Sequence, residues 1–110
     1  MTGKNNTHKA AESARRDAPY RAADYLKTPK QIAAYIEAIL EDGDPRVIRL
    51  GLRHAAEAIG GMSVLAEKAG LNRETLYRTL SDKGNPRLDT LSALLTAFGL
   101  RLSARPLKAA

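Results

Sequence analysis

The stretch Asn72-Arg73-Glu74-Thr75-Leu76-Tyr77-Arg78 carries six polar side chains within seven residues. Leu76, with Leu80 one turn on, marks the inner face of a short helical pattern, so the polar residues are expected to point outward. Their chemistry is that of recognition. An arginine presents paired N–H donors that match O6 and N7 of guanine. An asparagine amide fits adenine, and a carboxylate accepts from the amino group of cytosine. Glu74 has a second use, because it precedes Arg78 by four residues and can pair with it on the helix surface. Tyr77 is expected at the surface, since the two leucines already define the buried side. Downstream, Lys83, Asn85 and Arg87 lie in a loop by turn chemistry. They suit contact with phosphates, which position a protein without reading sequence. A plainly solvated loop fits the same three residues.

Other chemistry is poorly supplied. There is no cysteine, and the two histidines, His8 and His54, are far apart, so no metal site is expected. His54 reads as structural. Ser63 has no His-Asp partner pattern; it reads as the cap of a third helix, at the edge of the DNA-binding set. Asp42 and Asp44 flank a helix junction, where capping explains them better than acid-base catalysis. With no phosphate-binding loop and no nucleophile constellation, the expectation is a binding protein without cofactor, not an enzyme.

A chain of 110 residues fits one domain with tails. Its core is small enough for oligomerisation to be a natural source of further buried surface. No apolar run approaches the roughly 20 residues of a membrane span, and the charged N-terminus has no apolar stretch behind it, so no secretory signal is expected. A cytoplasmic setting fits the absence of cysteine. The net charge of +6 favours polyanions, nucleic acid first. From Leu71 onward seven basic residues stand against three acidic ones, whereas Gln31 to Gly70 is nearly balanced. The excess positive charge thus sits in the tail and in the half that carries the polar stretch.

The elements that must position these residues are helices. Residues 1–23 are polar and basic and are expected to be disordered; Tyr20, Tyr25 and Leu26 suggest an arm lying on the domain that follows, 24–106. Thr28, Pro29 and Gln31 form a capping signal for a first helix with Ile32, Tyr35, Ile36, Ile39 and Leu40 on one face, stopped at Gly43. Asp44-Pro45 starts a second, to about Ile59, apolar on most sides and therefore central. Ser63 opens the third; Gly70 turns the chain; Asn72 caps the fourth. A fifth runs through Leu88, Leu91, Leu94, Leu95 and Phe98 to Gly99. Leu100, Leu102 and Ala104 then alternate with polar residues, which reads as a short strand. A lone strand needs a partner, and its own copy in a second subunit is the natural one. These three residues are the expected dimerisation set, and 107–110 a tail.

The ordered part resembles the lambda-repressor-like (Cro/XRE) helix-turn-helix family. "SVLAEKAGLNRETLYRTLS" matches that family's bihelical unit and "NPRLDTLSALLTAFGL" the helix after it. More narrowly, "YLKTP", "EDGDP", "GMSVLAEKAGLNRETLYRTLS" and "GNPRLDTL", spread over roughly residues 24–106, are similar to the addiction-module antidote proteins, antitoxins of the HigA type. Thr79 departs from the broad family, where a larger apolar residue packs inward, and Arg87 replaces a common serine. The resemblance implies an all-α domain of five helices with a short C-terminal strand. It also implies an antitoxin that binds and neutralises a small RelE/ParE-like toxin and represses their shared operon, for which a homodimer on a palindromic DNA operator is the expected form. A stand-alone regulator without a toxin is the alternative.

Overall fold

The computed structural model describes residues 25–107. The tail expected at 1–23, Tyr20, His8 and residues 108–110 lie outside the described residues. Within them, five α-helices follow one another: α1 Pro29–Asp42, α2 Pro45–Ala58, α3 Met62–Ala69, α4 Arg73–Thr79 and α5 Leu88–Ala97. The described residues contain no strand, so this part of the chain is all-α.

Local chemistry sets the first boundaries. The Gln31 backbone N–H donates to Thr28 Oγ1 at 3.1 Å, and the Thr28 N–H donates back to Gln31 Oε1 at 3.0 Å. This reciprocal pair satisfies two donors that the first helical turn leaves unpaired. α1 ends at Gly43 in the left-handed region (φ 81°). Asp44 then caps α2, its Oδ1 accepting from the Arg46 N–H at 2.9 Å. α2 is central as its pattern requires: it packs on both α1 and α3 and buries Val47, Leu50, Leu52, Ala55 and Ala56. Gly51 sets its distance from α1. A Cβ there would lie 2.4 Å from Ile39 Cδ1 and 2.8 Å from its Cγ2, so only hydrogen fits. The Tyr35 hydroxyl and His54 Nδ1, 3.2 Å apart, tie the same two helices together, a structural use of His54. Leu26 is buried and Tyr25 stands edge-on to Tyr35, so the described end of the expected arm does pack on α1.

Two expectations are corrected, and a third is not met in the single chain. Ser63 does not cap α3. The chain reverses at Gly60-Gly61, the helical bonds start from the Gly61 carbonyl, and Ser63 lies exposed inside the first turn with no capping bond. Leu88 is not in the core; it is 72% exposed at the first position of α5, while Leu94 and Leu95 are buried and Leu91 and Phe98 partly so. The strand over 100–106, expected to pair with a second subunit, is not formed in the single chain, whose described residues supply no strand to pair with. Leu100 instead packs on the core and donates its N–H to the Leu95 carbonyl at 2.8 Å, closing α5. In the single chain Leu102 lines a groove beside α1 and Ala104 is exposed.

Candidate nucleic-acid interface

The polar stretch singled out by its chemistry forms α4, and α3 and its turn hold it. The last turn of α3 is closed by the Leu71 N–H on the Ala66 carbonyl at 2.9 Å, with Gly70 left-handed between them (φ 69°, ψ 31°). This bond satisfies a carbonyl that the helix end would otherwise orphan, and the left-handed residue is what brings the donor round. Ala66, 3% exposed, is small enough for α3 and α4 to pack closely, and Leu65, Leu76 and Leu80 beneath them are fully buried.

Asn72 caps α4, its Oδ1 accepting from the Thr75 N–H at 3.1 Å. One of the expected contact residues therefore has a structural duty as well. Arg73, Glu74, Thr75, Tyr77 and Arg78 all stand exposed, Tyr77 to 50%. Glu74 lies in the first turn and Arg78 in the last. That order complements the partial positive and negative charges at the two helix ends. Glu74 and Arg78 form no ion pair with each other, and Arg73, Arg78 and Lys83 have no acidic partner among the described residues. Unpaired cations on one short helix and the loop after it make a surface that attracts an anion. Asn85 and Arg87 are exposed in the same loop. Arg87 Nε lies 3.5 Å from Asp89 Oδ1, but both side chains are largely in solvent, where such a pair contributes little and is readily exchanged.

The loop after α4 folds back on that helix. Ser81 Oγ donates to the Arg78 carbonyl at 2.7 Å, and the Gly84 N–H donates to the Ser81 carbonyl at 2.9 Å. A Cβ on Gly84 would lie 1.9 Å from the Thr79 carbonyl oxygen, so no other residue fits this return without moving the backbone. Two arginines that the sequence reading passed over meet the same region from α2. Arg53 Nη1 donates to the Leu80 carbonyl at 3.4 Å and Arg49 Nη2 to the Asp82 carbonyl at 2.9 Å. Their spacing of four places both on one face of α2, but nothing in the sequence names the backbone carbonyls they meet.

A family model described as a probable addiction module antidote protein matches residues 17–106. The chain belongs to the addiction-module antidote family. An uncharacterized protein of Haemophilus influenzae (strain ATCC 51907 / DSM 11121 / KW20 / Rd) is 31% identical over 86 residues, covering 78% of this chain and 88% of its own length. No solved structure matches. The antidote match spans all five helices and the segment after α5. In this antidote α4 touches α3 and no helix–helix contact joins it to α1. No α4 residue lines the groove formed by α1 and residues 100–107, where Arg105 Nη2 lies 2.7 Å from Glu37 Oε2. No helix among the described residues is long and apolar enough to cross a membrane.

Proposed function

We propose that this protein is the antitoxin of a toxin–antitoxin module, of the HigA type, and that it represses its own operon by binding DNA. α3 and α4 act as a helix-turn-helix in a lambda-repressor-like domain. The observation that carries this reading is the exposure of Arg73, Glu74, Thr75, Tyr77 and Arg78 on a short helix whose only buried residue is Leu76. A major groove is wide enough for such a helix, and its arginines match guanine edges. Asn72 offers the amide nitrogen that its capping bond leaves over. Lys83, Asn85 and Arg87 hold the phosphates beside the groove. Ser63, exposed at the start of α3, is placed to meet the backbone on the other flank.

A palindromic operator requires two such helices about 34–36 Å apart, hence a homodimer. The segment carrying Leu100, Leu102 and Ala104 pairs with its symmetry mate to complete the dimer, forming the strand that a single chain lacks. Repression is steric: the dimer occludes the promoter. The toxin is a small RelE/ParE-like protein encoded alongside and neutralised by direct binding. Both partners place the protein in the cytoplasm, and its work is binding, not catalysis.

Fluorescence anisotropy with a labelled duplex from upstream of the gene tests the DNA reading. The expected result is tight binding whose affinity falls steeply with salt, by a log–log slope of about 0.9 per phosphate neutralised. Affinity that ignores salt and sequence overturns it. Co-expression with the adjoining gene tests the toxin: an antitoxin co-purifies with that product and relieves its growth arrest, whereas a stand-alone regulator does neither.

A further inference from the structure

We infer that Arg49 and Arg53 are positioning residues for the recognition helix: they latch its C-terminal end to α2 and so set the angle at which it meets DNA. The inference rests on the DNA-binding reading of α4 for its functional meaning, but the latch itself is a matter of geometry.

α4 has seven residues, too few to persist as a helix without support. Its start is secured by the Gly70 turn and the Asn72 cap. Its backbone runs close to that of α3 and of no other helix. Buried Leu80 seats its far end in the core, and two polar bonds fix it further. The Leu80 carbonyl, which follows the last turn, accepts from Arg53 Nη1, and the Asp82 carbonyl accepts from Arg49 Nη2. The two arginines are four apart and therefore share one face of α2. Two cationic donors at a helix C-terminus also answer its partial negative charge. Arg49 commits further: its Nε is buried with no hydrogen-bond partner, an unfavourable state held in place by the bond its Nη2 makes. A planar guanidinium can reach across with one nitrogen while its stem packs on the helix, which an ammonium cannot do equally. These two positive charges are turned inward, on carbonyls, unlike those of Arg73, Arg78 and Lys83. Their loss should loosen the aim of α4 without removing a phosphate contact.

The test uses the full chain with Arg49→Met and Arg53→Met, singly, and Arg49→Lys and Arg53→Lys as milder partners that keep charge and one donor. Two measurements are made: amide hydrogen exchange over residues 73–84, and anisotropy against the upstream duplex at several salt concentrations. The expected result is faster exchange confined to α4 and its loop. Operator affinity should fall on the order of tenfold, the loss of about one charge-assisted hydrogen bond, with an unchanged salt slope and with the lysine variants between wild type and methionine. If the methionine variants fail to fold, the lysine variants carry the same comparison. A slope smaller by about 0.9 per substitution would make the arginines direct phosphate ligands and overturn the latch. Unchanged exchange over 73–84 overturns it equally. If the wild type does not bind DNA, the reading of α4 falls, and the exchange data alone decide the latch.

Discussion

Leu71 donates its backbone N–H to the carbonyl of Ala66 at 2.9 Å, and the bond exists because Gly70, between them, is left-handed. No atom lies within 4 Å of where a Gly70 Cβ would stand, so a substitution there meets backbone strain and no side-chain clash. For an L-residue the left-handed conformation costs about 1–2 kcal/mol. Gly70→Val should therefore lower the melting temperature by roughly 4–8 °C per kcal/mol in a domain of this size, and Gly70→Asn by less. Thermal unfolding followed by circular dichroism gives the answer; a valine variant melting with wild type would remove the turn from the account of α4.

Gly51 and Ile39 should be coupled. Replacing a mid-helix glycine gains up to about 1 kcal/mol of helix propensity, but overpacking against Ile39 costs about 1–3 kcal/mol. Gly51→Val is expected to be net destabilising in urea titrations. Gly51→Ala combined with Ile39→Val, which removes the atom 2.4 Å away, should be more stable than the sum of the two single effects. Strict additivity would mean the helices part without resistance.

Arg73→Ala and Arg78→Ala should each weaken operator binding by about 1–3 kcal/mol, the worth of one bidentate base contact. Their exposed positions should leave stability within about 0.5 kcal/mol of wild type. Gel-shift titration and melting curves on the same preparations separate the two effects. Equal affinity of both variants and wild type would take α4 out of the groove.

Truncation after Leu100 keeps the bond that closes α5 and removes Leu102, Ala104 and the Arg105–Glu37 pair. That pair is mostly in solvent and contributes at most about 1 kcal/mol. Helical content should hold while sedimentation shows a monomer and operator affinity drops steeply. A truncated chain that still sediments as a dimer assigns the subunit contact to the helices.

The helix ends were legible because their determinants are local. Thr28 with Gln31, Asp44 with Arg46 and Asn72 with Thr75 act across two or three residues, and Gly43 and Gly70 act through their own φ. Ser63 fitted the same local rule and failed, because Gly61 two residues earlier had already begun the helix. Leu88 shares the helical phase of Leu91 and Leu95, yet it sits one turn beyond the edge of the core, and sequence carries no record of where a core stops. The arginine latch was out of reach for a related reason. Arg53 and Arg49 meet carbonyls 27 and 33 residues away, and backbone acceptors leave no trace in side-chain spacing.

The burial pattern of α4 separates two kinds of labour. Leu76 and the neighbouring Leu80 carry its attachment to the domain, and Arg73, Glu74, Thr75, Tyr77 and Arg78 carry none of the burial. On the DNA-binding reading of α4, exchanges at those five positions would rewrite which bases are favoured while the scaffold stays intact. Specificity and stability would then be free to change separately, with no fold to reinvent.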